Sequence, residues 1–404
     1  MGLPERIALI KKIEELRGST VMCFLTGLQQ NVPSQIADDS VRVIFDHLLL
    51  FPSRPVAKLD LFLCSNGGSG TVPWRLVSLF REFAKSFNVL IPYRAYSAAT
   101  LIALGADEIV MHPFAELGPI DPTVSNEFNP TEQPTGRRLG ISVEDVKAYV
   151  TFIKTTVGIT HEDELIKAVE ALTAKVHPLA LGNVERFLAQ TRMIARKILR
   201  THMGDADGHT IEEIIENMAS KLYFHGHPIN RQEAKEDLGL KVTVDLQPNL
   251  ESAMWELYKE YDTQFSNQVV FNPAGDLAAL LPTAPSAQPT PQLQIPGMPA
   301  GIQIQGQQPP PQIQREYDLV HAMVESTRLS SKHGTHRRYR MTIPMPGQQA
   351  IHEDILAQGW THSLVQATGS ESPQHSTSPA GAPSGADVQQ DTTGQQSQPA
   401  PETT

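Results

Sequence analysis

Leu59-Asp60-Leu61-Phe62-Leu63-Cys64-Ser65-Asn66-Gly67-Gly68-Ser69-Gly70 is the stretch that decides the fold class. A short run of almost unbroken apolar residues, closed by turn formers, suits a strand buried on both faces of a parallel sheet. Glycines at the carboxyl end of such a strand let the backbone approach a ligand and leave N–H groups free. They equally suit a tight turn that needs positive φ, so the segment alone leaves both readings open. A phosphate loop is a poor match, because the Lys-Ser/Thr pair is missing and no G-x-G-x-x-G is present.

Moving outward, Thr20 to Leu25 and Val89 to Pro92 read as similar buried strands. Between the strands, Asp39 to Leu50 and Pro73 to Phe87 carry helical spacing: Val41, Ile44, Phe45, Leu48 and Leu49 in one, Leu76, Leu79, Phe80 and Phe83 in the other. Asp107 to Met111 looks like a further strand after a helix from Ala98 to Leu104. Strand and helix in alternation imply an α/β fold with a parallel sheet and right-handed crossovers.

The strand ending at Ile91-Pro92 leads into Tyr93-Arg94-Ala95-Tyr96-Ser97-Ala98-Ala99-Thr100-Leu101-Ile102-Ala103-Leu104-Gly105-Ala106-Asp107-Glu108-Ile109-Val110-Met111. Ser97 opens a helix of small residues, where a serine commonly does no more than cap the first turn. Its setting adds a second reading. Ala98 and Ala99 let another backbone come close, the helix start favours negative charge, and a Gly-Gly turn lies on the preceding strand. Together these describe a nucleophile beside an oxyanion hole.

The 404 residues suffice for two or three domains, and 40% hydrophobic content supports at least one large core. A net charge of -11, with basic residues scattered among acidic ones, gives no continuous basic surface and argues against nucleic-acid binding. Cys23 and Cys64 sit in apolar runs, form no metal cluster by themselves and fit a reducing compartment. The charged, helically spaced N-terminus lacks the apolar core of a signal peptide and the length of a membrane span, so a cytoplasmic protein is expected. Composition divides the chain at 1–265, a Pro/Gln-rich linker at 266–315, a small accessory segment at 316–365 and a tail at 366–404. In the accessory segment Leu319, Val320, Met323 and Val324 suit a helix or a strand, and Arg337 to Ile343 a second strand. The tail has no Lys, Arg, Phe, Tyr or Trp and is expected to be disordered.

The Ser-Asn-Gly-Gly-Ser-Gly turn, the Ala95 to Met111 segment and Ala115-Glu116-Leu117-Gly118-Pro119-Ile120-Asp121-Pro122 occur in an order that resembles the Clp/crotonase superfamily. Within it the chain is similar to the serine dehydrogenase proteinase family, related to signal peptide peptidase A. The resemblance covers roughly 20–246, with the segments Tyr223 to Ile229 and Glu233 to Leu240 closing the core. It implies a repeated β-β-α superhelix with a mainly parallel sheet and a helical C-terminal part of the core. It also implies a serine peptidase without a cofactor, acting on peptide or protein as a homo-oligomer. Ser97 matches the nucleophile, and the oxyanion N–H groups fall on Gly67, Gly68 and Ala98, with Gly67 shaping the turn.

A base must take the serine proton, and histidine or a neutral lysine can do so. No histidine stands near Ile120 and Asp121, where Clp-type peptidases carry one; His112 comes earlier and reads as a surface or strand-end residue. The signal-peptide-peptidase relatives use a lysine about 50 residues beyond the serine, which makes Lys147 the first candidate and Lys154 the second. Ser142 to Lys154 reads as a helix whose face of Val143, Val146, Val150 and Ile153 both lysines flank. Two alternatives remain: a non-catalytic member whose pocket binds peptides or a partner, and crotonase-like acyl-CoA chemistry, which Ser97 disfavours. The groups His202, Asp205, Asp207, His209 and His225, His227 hold metal-ligand types but read as a solvated turn and a strand, so no metal is expected.

Overall fold

The computed structural model describes residues 2–120, 123–124, 127–132, 138–204, 207–221, 227–280, 312–345 and 348–365. The expected tail at 366–404, residues 281–311 of the expected linker, and Asp121, Pro122, Asp205 and His225 lie outside the described residues.

Elements run in chain order α1 (Leu3–Arg17), β1 (Thr20–Thr26), α2 (Asp39–Leu49), β2 (Leu59–Cys64), α3 (Val72–Phe83), β3 (Phe87–Ile91), β4 (Arg94–Ala95), α4 (Ala98–Ala103), β5 (Glu108–Met111) and β6 (Glu116–Leu117). There follow β7 (Thr123–Val124), β8 (Ile141–Ser142), α5 (Val143–Thr151), α6 (Glu162–Thr173), α7 (Pro178–Leu199), α8 (Gly208–Glu216), β9 (Ile229–Asn230), α9 (Arg231–Glu236) and β10 (Val242–Thr243). The chain continues with α10 (Pro248–Gln264), α11 (Pro273–Ala278), β11 (Gln312–Ser326), β12 (Leu329–Met345) and β13 (Gln348–Leu364).

An eight-stranded sheet in the order β10-β5-β3-β2-β1-β11-β12-β13 organises these elements. From β10 to β1 every pairing is parallel, as the alternation of strands and helices requires. Alternating side chains feed two cores: Met22 and Phe24 of β1 point into one with α2, α3 and α7, while Val21, Cys23 and Leu25 point into the other with α1 and α10. Covering both faces is what lets β2 and β3 be buried at every residue. A second, three-stranded sheet, β4-β6-β9, stands at the carboxyl end of the parallel strands.

The region beyond 265 differs from the sequence expectation. Within the stretch read as linker, α11 forms with Leu277 buried and Asn272 capping it through the Gly275 N–H at 3.0 Å. Beyond it, three long strands extend the main sheet, with β11 pairing antiparallel to β1 from Met22↔Ser326 to Thr26↔Ala322. The helix-like spacing at Leu319, Val320, Met323 and Val324 comes from a strand with a register shift between Val320 and Ala322. Met323 and Val324 face opposite cores, as neighbours in a strand must.

A buried ion pair fixes this join. Arg6 of α1 donates to Glu325 of β11 at 2.8 and 2.9 Å, and Tyr261 Oη and Ser330 Oγ donate to the same carboxylate at 2.7 and 2.6 Å. Glu325 has no solvent exposure, and these donors offset the cost of burying its carboxylate. Arg6→Met should therefore cost about 3–5 kcal/mol in urea denaturation, while the paired change Arg6→Met with Glu325→Leu recovers most of it. Equal losses in the single and double variants would contradict this role.

His47 of α2 makes a second tie. Its Nε2 is 2.9 Å from Ser331 Oγ and its Nδ1 3.3 Å from Ser326 Oγ, and Ser331 Oγ also meets His362 Nδ1 at 2.9 Å. Burial holds the imidazole neutral, pushing its pKa from 6.5 down to about 4. As pH falls through that window the unfolded chain takes up the proton first, so stability is lost between about 6.5 and 4, by up to about 3 kcal/mol. Denaturation midpoints of wild type and His47→Gln, compared at pH 7 and pH 4, should show a smaller drop in the variant; equal drops would refute the assignment.

Candidate active site

The site is built where β2 and β3 end. Pairing continues past both strands: Ser65 N–H donates to Arg94 O at 2.9 Å and Tyr96 N–H to Ser65 O at 3.0 Å. This register lays the Ser65–Gly70 turn beside Tyr93–Ser97. Ser65 Oγ, 2.7 Å from Thr26 Oγ1, accepts the Gly67 N–H at 3.0 Å and so shapes the turn from within.

Both glycines are dictated by contact. Gly67 has φ of 100°, and a Cβ there would lie 2.6 Å from Tyr96 O and 2.9 Å from Ser97 Cβ. Gly68 has φ of 151°, and its Cβ would stand 2.2 Å from Ile36 O. Ile36 pairs with Gly68 in a parallel bridge, donating to Gly67 O at 2.7 Å and accepting from Ser69 N–H at 2.8 Å. In that pattern the N–H of Gly68 itself points away from Ile36, with no acceptor among the described residues.

Ser97 holds φ 52° and ψ −111°, a conformation an L-residue adopts only when its surroundings impose it. The enforcing elements are α4, buried at every residue, and Thr100, whose Oγ1 lies 2.7 Å from Ala95 O and 2.8 Å from Gly118 O. The capping reading fails: the half-buried Ser97 side chain makes no cap hydrogen bond. Ala98, first in the helix, keeps its N–H without an intrachain acceptor among the described residues and stands 3.2 Å from the position of a Gly67 Cβ. The half-buried hydroxyl, the Gly68 N–H and the Ala98 N–H thus belong to one small neighbourhood. Gly67 contributes shape only, since its own N–H is already taken by Ser65.

A polar brace supports this corner. Tyr96 donates to Glu116 at 2.6 Å, and Arg94 reaches the same carboxylate at 3.3 Å. Burial, and then the carboxylate it donates to, hold Tyr96 protonated well above the usual phenol range. Gly118 gives the Tyr96 ring its room, because a Cβ there would fall 2.7 Å from Tyr96 Cδ1. The nearby Cys64 thiol is no rival nucleophile, as burial pushes its pKa up to about 12.

The base candidates fare unequally. Lys147 lies on α5, but its side chain is outside the described residues. Lys154 lies in a π-helical turn, Phe152–Thr156, that prolongs α5, and is exposed. His112 follows β5 and is buried rather than on the surface: its Nδ1 accepts the Phe114 N–H at 3.1 Å and its ring stacks on Trp255 of α10 at 5.1 Å. Burial lowers its pKa, keeping it neutral against α10. His202 Nε2 is 2.9 Å from Leu104 O, behind α4, and His227 pairs with Glu233 at 2.8 Å. Asp207 and His209 stand exposed at the start of α8.

Sequence reasoning missed Ile36, Ser65 and Thr26. Ile36 sits in a polar Gln-Asn-Pro loop far from the turn in sequence, and nothing local marks it. Ser65 belonged to the quoted turn, but only the positions of Thr26 and Gly67 reveal what its hydroxyl does.

Residues 3–133 match the family model of ClpP-like SDH-type serine proteinases. Two uncharacterized proteins of Methanocaldococcus jannaschii are similar to the chain, one 24% and one 25% identical over 262 residues, covering 63% of this chain and 77% and 79% of theirs. Among solved structures, the 1510-N membrane-bound stomatin-specific protease aligns with 13% identity and a TM-score of 0.32 over 56% of this chain and 81% of that one. The ClpP protease catalytic domain from Plasmodium falciparum aligns with 11% identity and a TM-score of 0.32, over 61% and 93% of the two chains. The glycine turn and Ser97 both lie within the residues, 3–133, that match the model of the ClpP-like SDH-type serine proteinases.

Proposed function

We propose that the protein is a serine peptidase in which Ser97 Oγ attacks a peptide carbonyl and transfers its proton to a neutral lysine, Lys147 first and Lys154 second. The observation that carries the reading is the backbone of Ser97 at φ 52° and ψ −111°, with its hydroxyl free of the helix it precedes. Such strain is retained where surrounding structure over-determines it, and it aims the side chain outward instead of back over the first turn. As the tetrahedral adduct forms, negative charge gathers on the former carbonyl oxygen, and the Gly68 and Ala98 N–H groups donate to it. Collapse expels the amine, which takes the proton from the lysine; water then releases the acyl group by the reverse transfer. No step needs a cofactor. Substrates are peptides or proteins, and the working form is a homo-oligomer. Among the described residues no helix is long and apolar enough to cross a membrane.

A fluorophosphonate probe with mass mapping tests the assignment. Labelling should fall on Ser97, disappear in Ser97→Ala and slow in Lys147→Ala, with Lys154→Ala affected instead if the second lysine is the base. Labelling that persists in Ser97→Ala, or none at any pH, overturns the peptidase reading, and the latter favours a pocket that binds without cutting.

Gly68→Ala isolates the oxyanion donor. Its Cβ meets Ile36 O at 2.2 Å, so the turn must shift and carry the Gly68 N–H with it. Turnover should drop by about 10²–10³ while Ser97 remains present. Turnover within a few-fold of wild type, in a variant that unfolds at the same temperature, would remove Gly68 from the mechanism.

A further inference from the structure

β13 is the last strand of the main sheet, and one of its edges is unpaired among the described residues. Natural edges are blunted by shortness, by charged side chains and lysine above all, by proline or by bulges, and between Ile351 and Leu364 β13 has only Glu353, Asp354 and one bulge of these. β13 spans 17 residues and contains no Lys, Arg or Pro. Four of its aliphatic residues face solvent: Ile351 at 42%, Ile355 at 56%, Leu356 at 41% and Leu364 at 74% exposure. Between Ile351 and Leu364 its ladder with β12 is interrupted by one bulge, since Arg337 pairs with Ile355 and His336 with Ala357, leaving Leu356 out; a second register shift falls near the start of the strand, between Thr342 and Met345 of β12.

With the bulge counted, the strand is complementary to itself. Gln358 lies opposite Thr335 of β12, and ladder positions can be numbered outward from it. Two steps away on either side are Ile355, opposite Arg337, and Trp360, opposite His333; at four steps stand Glu353 and His362, and at six Ile351 and Leu364. All share one face of the sheet. On the other face Ala357 and Gly359 are one step out, Asp354 and Thr361 three, and His352 and Ser363 five. A two-fold axis through Gln358 therefore sets apolar beside apolar twice, acid beside imidazole, small beside small, and polar beside polar. No like charges meet. A one-residue slip would break the match, because it moves every pair onto opposite faces.

We propose that β13 pairs antiparallel with β13 of a second copy of this chain, centred on Gln358, so that two eight-stranded sheets join into one. The contact is isologous, with each cross-strand pair occurring twice. His362 suits its place: Nδ1 is 2.9 Å from Ser331 Oγ, which leaves Nε2 for the facing Glu353 carboxylate. The proposal does not depend on Ser97 chemistry.

Cysteines placed by this register test it in the full chain. In Gln358→Cys two thiols face each other across the axis, within disulfide reach, and mild oxidation should give a covalent dimer on a non-reducing gel. In Thr361→Cys the two thiols lie six ladder steps apart, about 20 Å, and should stay unlinked. Cys23 and Cys64 are buried and do not compete. In sedimentation velocity the wild type should run as a dimer or an even multiple, and Gln358→Lys, which opposes two ammonium groups, should weaken association about fivefold or more. A chain that stays monomeric at high micromolar concentration overturns the proposal. So does an oligomer that Gln358→Lys leaves unchanged, which would be held by another face, and so does equal cross-linking of the two cysteine variants.

Discussion

Two missing side chains hold the candidate site together. At Gly67 and Gly68 the turn after β2 presses against Ser97 on one side and Ile36 on the other, at distances no Cβ could occupy. Because Ser65 and Ala95 pair in register beyond the ends of β2 and β3, the turn and the serine are carried on neighbouring strands of one rigid sheet. The Gly68 and Ala98 N–H groups and the Ser97 hydroxyl are thus placed by the ends of the strands themselves. The strain at Ser97, of order 1–3 kcal/mol, is carried by the burial of α4 and the Thr100 hydroxyl between two carbonyls.

The same sheet explains the C-terminal strands. Without β11, β1 would be an open edge of a buried parallel sheet, an arrangement that leaves backbone donors and acceptors unpaired. β11 closes it antiparallel, and the Glu325 carboxylate inserts among Arg6, Tyr261 and Ser330 to hold α1 and α10 on that join. β11 also supports the loop that carries Ile36: Gly27 N–H donates to His321 O at 2.9 Å, and His321 Nδ1 lies 2.9 Å from Pro33 O. The last strands thereby reach, through one loop, the turn that carries Gly68.

Much of the parallel half was legible in the sequence, for a physical reason. Buried parallel strands are continuous apolar runs, and Leu59 to Cys64 is nearly that, so strand, turn and following helix announce themselves locally. Ser97 and the glycine turn stood out because small residues at strand ends are unusual and chemically informative. The C-terminal strands were harder. Leu319, Val320, Met323 and Val324 mimic helical spacing only because a register shift interrupts the alternation, and a mixed polar strand such as β13 lacks any apolar run. Ile36, Ser65 and Thr26 act through contacts set by the sheet, which no local pattern records. His112 has no distinguishing neighbours in sequence, and only the packing of Trp255 decides that it is buried. For the base, helical spacing says which residues flank a face, and this does not fix how far an amine lies from a hydroxyl on another helix.

The most direct measurement is a crystal structure of the chain after reaction with a phosphonate ester. Phosphorus should be bonded to Ser97 Oγ, with the phosphoryl oxygen about 2.7–3.1 Å from both the Gly68 and the Ala98 nitrogens. An adduct whose phosphoryl oxygen turns to solvent, or meets neither nitrogen, would show that the turn and the serine do not form one catalytic centre.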